Sequence, residues 1–77
     1  MMATIDLKLY ATLAAHLPAN AADYPIEAGI TVAQLIDALN ISRSEAKLIF
    51  VNGVRTQLDR VLHGGERIGI FPPVGGG

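Results

Sequence analysis

The groups on this chain that could do chemistry are few, and the unusual ones crowd one end. The sequence holds no cysteine, which removes disulfides, thiolate metal sites and a cysteine nucleophile. His16 and His63 are far apart with no ligand spacing between them, so no metal site is expected. His63-Gly64-Gly65 faintly echoes an oxyanion-hole loop, but no G-x-S-x-G nucleophile motif accompanies it, and it reads as a turn. Asp59 and Glu66 could be taken for a carboxylate pair; with nothing to bracket a cleft around them, they read as solvated loop charges. No phosphate-binding glycine motif follows a strand. What remains is the ending Phe71-Pro72-Pro73-Val74-Gly75-Gly76-Gly77. Its prolines fix φ and remove backbone donors, and Phe71, standing before proline, is pushed toward extended geometry. The chain is therefore expected to leave its body as a stiff arm and to lose that stiffness abruptly at the glycines. Residues 72–77 are expected to form an extended tail, and residues 1–71 the domain that carries it.

The body must be one small domain, since 77 residues leave no room for a second core. Hydrophobic residues make up 51% of the chain and charged residues 17%, which places it with compact aliphatic cores rather than disordered chains. The formal net charge is −1, and the six basic residues are scattered, so no nucleic-acid partner is expected. Residues 1–5 carry no positive charge, Asp6 and Lys8 interrupt any apolar run, and no stretch is long enough to span a bilayer. Neither a signal peptide nor a membrane partner is expected, and the cytoplasm is the default location.

Periodicity lays out the elements that would position the arm. Ile5, Leu7 and Leu9 alternate with Asp6, Lys8 and Tyr10, as in a strand with one buried face. Residues 11–18 are weakly periodic, 18–20 read as a loop, and 23–27 as a short strand that Pro25 marks as an edge. Thr31 and Gln34 form a capping box for a helix whose Val32, Leu35, Ile36 and Leu39 make one apolar stripe, with Ile30 placed to staple onto Leu35. Ser42 and Glu45 suggest a second capping box over one short turn. Residues 47–51 read as a strand, Asn52-Gly53 as a two-residue hairpin turn, and Val54-Arg55 as the start of the return strand. Residues 57–62 are irregular, Gly64 and Gly65 supply a turn with positive φ, and 67–71 form the last strand. One helix across one face of a mixed sheet of four or five strands buries the stripe economically. With a first hairpin and a later crossover, the first and last strands become parallel neighbours in the middle. This α+β arrangement is the β-grasp.

The ending "FPPVGGG", the preceding "GERIGI" and the "VNG" hairpin resemble the small subunit of molybdopterin synthase and its relatives, the thiamine-pathway sulfur carriers and ubiquitin-like proteins. The resemblance spans the chain in layout and is specific over 51–53 and 65–77; Gly75 departs from the residue the family often has before its diglycine. It implies a sulfur carrier, not an enzyme on its own. A ubiquitin-activating-type enzyme would spend ATP to adenylate the Gly77 carboxylate. Sulfide from a persulfide donor would then displace AMP to leave a thiocarboxylate. Gly75 and Gly76, with Val74, Pro72 and Pro73 behind them, would thread Gly77 into the narrow sites of the activating enzyme and of the acceptor, the large subunit of molybdopterin synthase or another protein. The six residues reach roughly 20 Å when extended. No cofactor is expected on the carrier itself; the ATP belongs to the activating enzyme. A related carrier for thiazole, cysteine or tRNA thiolation, and a covalent protein modifier, share the same ending.

The alternation also suggests where partners dock. If Ile68 and Ile70 face the helix, Phe71 points to the other face of the sheet, and Tyr10 points away from Leu7 and Leu9. On neighbouring strands the two rings would share an exposed patch beside the tail, which suits an interface anchor. Val54 is expected to extend that patch; the competing expectation is that sheet twist tucks Phe71 into a secondary cluster.

Overall fold

In the structure, a computed structural model that describes residues 1–73, five strands and one helix form in the order β1 (Met2–Leu9), β2 (Tyr24–Glu27), α1 (Val32–Ala38), β3 (Leu48–Val51), β4 (Val54–Thr56) and β5 (Arg67–Phe71). The sheet order is β2-β1-β5-β3-β4. β1 and β5 are parallel, with Asp6 opposite Arg67 and Leu9 opposite Ile70, and the other neighbours are antiparallel. The last strand therefore lies at the centre, paired on both edges. This is the ubiquitin-like β-grasp.

The core follows from the two periodicities. Ile5, Leu7 and Leu9 of β1, Ile49 and Val51 of β3, and Ile68 and Ile70 of β5 are all buried on the helix side. Against them lies the stripe Val32, Leu35, Ile36 and Leu39, also buried. The helix begins as its sequence requires: the Gln34 backbone N–H donates to Thr31 Oγ1, and the Thr31 N–H donates to Gln34 Oε1. The next backbone donors are satisfied from outside the helix. The Val32 and Ala33 N–H groups donate to the carbonyls of Arg60 and Leu58, so the irregular stretch 57–62 holds the helix start against the sheet.

Differences from the sequence expectations are local. β1 starts at Met2, three residues early, because β2 pairs with its first half. Residues 11–16 form 3-10 turns that bury Leu13, and Ala11 enters them with φ of 52°. The turn at 42–45 forms without its capping box: the Glu45 N–H donates to the Ser42 carbonyl, and the Ser42 hydroxyl lies 2.8 Å from that of Ser44. Asn52 and Gly53 have φ of 53° and 81°, the left-handed pair a two-residue hairpin demands.

Candidate functional site: the outer face of the sheet at the base of the tail

Opposite the helix, the alternation of β1, β3 and β5 sends Tyr10, Phe50 and Phe71 to one face. Tyr10 and Phe71 lie on adjacent parallel strands, and their rings stack with centroids 4.1 Å apart and planes 4° from parallel. Phe50, one strand further across, meets Phe71 edge-on with centroids 5.8 Å apart. Phe71 thus belongs to a three-ring cluster and is half-buried, while Tyr10 remains 38% exposed. Both sequence expectations for Phe71 are realised in part: it is on the outer face, and it packs there.

The backbone fixes this placement. The Tyr10 N–H donates to the Ile70 carbonyl at 3.1 Å, and the Lys47 N–H donates to the Phe71 carbonyl at 3.0 Å. The strand end is therefore held from both sides, at the Ile70 carbonyl by β1 and at the Phe71 carbonyl by the residue before β3, immediately before Pro72 leaves the sheet. Pro72 is half-buried and Pro73 exposed. Val74, Gly75, Gly76 and Gly77 lie outside the described residues.

Between the rings is a shallow cavity of about 370 Å³, lined mainly by Lys8, Tyr10, Phe50, Arg67, Gly69 and Phe71. Gly69 is its floor: in register it faces Lys8 on one side and Phe50 on the other. A methyl group there would touch Tyr10 Cε2 at 3.5 Å, an ordinary contact. The missing side chain keeps the cavity open without being forced by the backbone.

Two expectations need correction. Val54 does not extend the patch: the tight hairpin sets it opposite Val51, whose side chain faces the helix, while Arg55 stands opposite Phe50. Val54 is 64% exposed, but beside the other face. Glu66 is not a solvated loop charge. It is 7% exposed, and its carboxylate accepts from the His63 N–H at 2.8 Å and the Gly64 N–H at 2.7 Å. Burial pushes this carboxyl up, but those bonds, its own N–H and the nearby His63 outweigh burial and hold it below the ordinary value. Asp59 is exposed. His16 ends the 3-10 turns and His63 lies in the loop before β5, and no cluster of potential metal ligands occurs among the described residues.

Phe50, Lys8 and Arg67 were missed as site residues. The alternation alone put Lys8 on the face of Tyr10 and Arg67 on that of Phe71, but only the register brings the two together and sets Phe50 opposite Gly69.

The strand order β2-β1-β5-β3-β4 with one helix across the sheet makes this a ubiquitin-like β-grasp protein. The model of the Mut7-C ubiquitin family matches residues 2–75, and the chain belongs to that family. Among solved structures, the chain resembles the HVO 2177 protein of Haloferax volcanii, with 20% identity, a TM-score of 0.76, and coverage of 99% of this chain and 88% of that one. It also resembles SAMP1 of the same organism, with 22% identity, a TM-score of 0.65, and coverage of 96% and 99%. A third neighbour is a candidate molybdopterin converting factor, subunit 1, of Pyrococcus furiosus, with 24% identity, a TM-score of 0.64, and coverage of 94% and 99%. At these identities the likeness is one of fold. No curated protein matches the sequence. No helix among the described residues is long and apolar enough to cross a membrane.

Proposed function

We propose that this chain is a sulfur carrier that acts as the small subunit of molybdopterin synthase, with the Gly77 carboxylate as its working group. A carboxylate is a poor electrophile because its charge repels nucleophiles. A ubiquitin-activating-type enzyme would join it to AMP, with pyrophosphate leaving ATP. The outer sulfur of a donor's persulfide then forms a C–S bond as the acyl C–O bond to AMP breaks. A thiol of the donor or of the activating enzyme attacks the inner sulfur of the resulting acyl persulfide, so that the S–S bond breaks, a disulfide forms and the carrier leaves as a thiocarboxylate. The large subunit takes this sulfur for the dithiolene of molybdenum cofactor.

The observation that carries the reading is the junction at Phe71. A strand paired on both edges ends in a clamped aromatic residue, and the next residues are Pro72 and Pro73. A partner that grips Tyr10, Phe50 and Phe71 holds the base of the arm, so the glycines beyond enter its active site from a fixed point. Absence of cysteine supports the same reading, because no other group on the chain can carry reactive sulfur.

The test is intact-mass analysis after co-expression with the activating enzyme and sulfur donor. One oxygen should be replaced by sulfur, localised to Gly77, and deleting Gly77 or adding a residue after it should abolish transfer. Sulfur-free protein under conditions that charge a known carrier would overturn the proposal. Isopeptide conjugates on lysines would instead favour a protein modifier.

A further inference from the structure

Lys8 and Arg67 flank the aromatic cavity, and among the described residues neither charge is paired. Both side chains are exposed. Among the described residues the ion pairs are Met1 with Glu27 and Arg43 with Asp37; neither Lys8 nor Arg67 takes part, and neither lies against a ring. Asp6, across from Arg67 in the β1–β5 register, forms no such pair. Glu66, next in sequence to Arg67, is turned inward to backbone donors. Asn52 grips Arg67 by its backbone, accepting its N–H at 2.9 Å and donating to its carbonyl at 2.8 Å, which keeps the strand end in register beside the cavity. A chain of net charge −1 therefore presents a locally positive rim around an apolar hollow. Charges beside low-dielectric walls act more strongly on an incoming ion than the same charges in open water.

We infer that this face takes a partner segment in which carboxylates flank an aliphatic or aromatic side chain. The apolar side chain enters the hollow over Gly69, and the carboxylates pair with Lys8 and Arg67. The inference rests on the docking face described under the proposed function and adds the chemistry of what docks there. A single-stranded nucleic acid fits less well, because Tyr10 and Phe71 spend ring faces on each other that bases would need. A second copy related by a two-fold axis would set the same cations against each other.

The test uses the uniformly 15N-labelled protein and two peptides, acetyl-Asp-Glu-Leu-Leu-Glu-Asp-amide and acetyl-Lys-Lys-Leu-Leu-Lys-Lys-amide, with oligouridine as a third probe. The acidic peptide should shift the amides of Lys8, Tyr10, Phe50, Arg67, Gly69 and Phe71, and should bind about tenfold or more tightly than the basic one. The double variant K8E/R67E should reverse that preference while its thermal unfolding stays close to the parent's. Equal binding of the two peptides at this face would overturn the electrostatic inference and leave the docking reading intact. Shifts elsewhere, or none with either peptide, would overturn it as well. So would tighter binding of oligouridine, or shifts that depend on protein concentration alone. The carrier reading stands or falls separately, on the sulfur mass of Gly77.

Discussion

Glu66 buries a carboxylate beneath the loop that it closes, and this makes part of the fold's stability depend on its charge. Its folded pKa lies below the ordinary 4.5. A group depressed on folding contributes stability that is fully present above its unfolded pKa and is lost as pH falls through the folded one. Unfolding followed by urea at stepped pH should therefore show a loss that begins as pH approaches 4.5 and continues below it. Glu66→Gln should flatten that acid limb and cost about 1.5–3 kcal/mol at neutral pH, because hydrogen bonds to a charged acceptor are lost. An unchanged acid limb would assign the dependence to another carboxylate. Phe71 poses a different question at this scale. Half-buried against two rings, it should lose less stability on Phe71→Ala than the 3–5 kcal/mol typical of a core aromatic. Binding of the larger partner should weaken by about 2 kcal/mol or more. Denaturant unfolding and partner titration of the same variant separate the two effects. Glu66 also shows where sequence reading stops. The pattern Glu-Arg before a strand looks solvated, and only the chain's path through Gly64 and Gly65, with φ of 121° and 82°, turns the carboxylate inward.

Among the elements, β5 carries both the core and the site on alternate residues. Ile68 and Ile70 are fully buried, while Arg67, Gly69 and Phe71 serve the outer face. Glycine is a weak strand former, so Gly69→Val should leave the fold intact or tighten it by up to about 1 kcal/mol. The added methyls would occupy the cavity beside Tyr10, so partner binding should fall about tenfold or more. Calorimetric titration and thermal melts of this variant test the two halves, and unimpaired binding would show that the hollow is not used. Such elements were legible in sequence wherever a period was long enough to repeat. The 2-residue alternation of β1 and β5 and the stripe of α1 led to the buried faces, and Asn52-Gly53 led to the hairpin. The 3-10 turns at 11–16 were not legible, because their placement depends on Leu13 finding the core and on Ala11 taking a left-handed conformation. The side on which Val54 falls was missed for a related reason: a tight hairpin decides it, not the strand's own hydrophobicity.

For the whole molecule, the parallel neighbours β1 and β5 set the first and last strands side by side in mid-sheet, with the chain's start and the base of the tail at opposite ends of the pair. This was foreseeable from element order alone, since a hairpin followed by a crossover leaves the last strand a central slot. The charged rim was not, because it arises from residues on two strands that come together only once the register is set. The same register has a mechanical consequence. Tension between the chain's start and the tail pulls β1 and β5 in opposite directions along their length, so the bonds joining Asp6–Leu9 to Arg67–Ile70 are loaded together in shear. Tension applied across the β3–β4 hairpin peels its pairs one at a time. Single-molecule pulling should find a higher rupture force for the first geometry than for the second. A pull on Pro72 against the chain's start therefore meets bonds that must give way together, whereas a pull that opens the hairpin meets them singly.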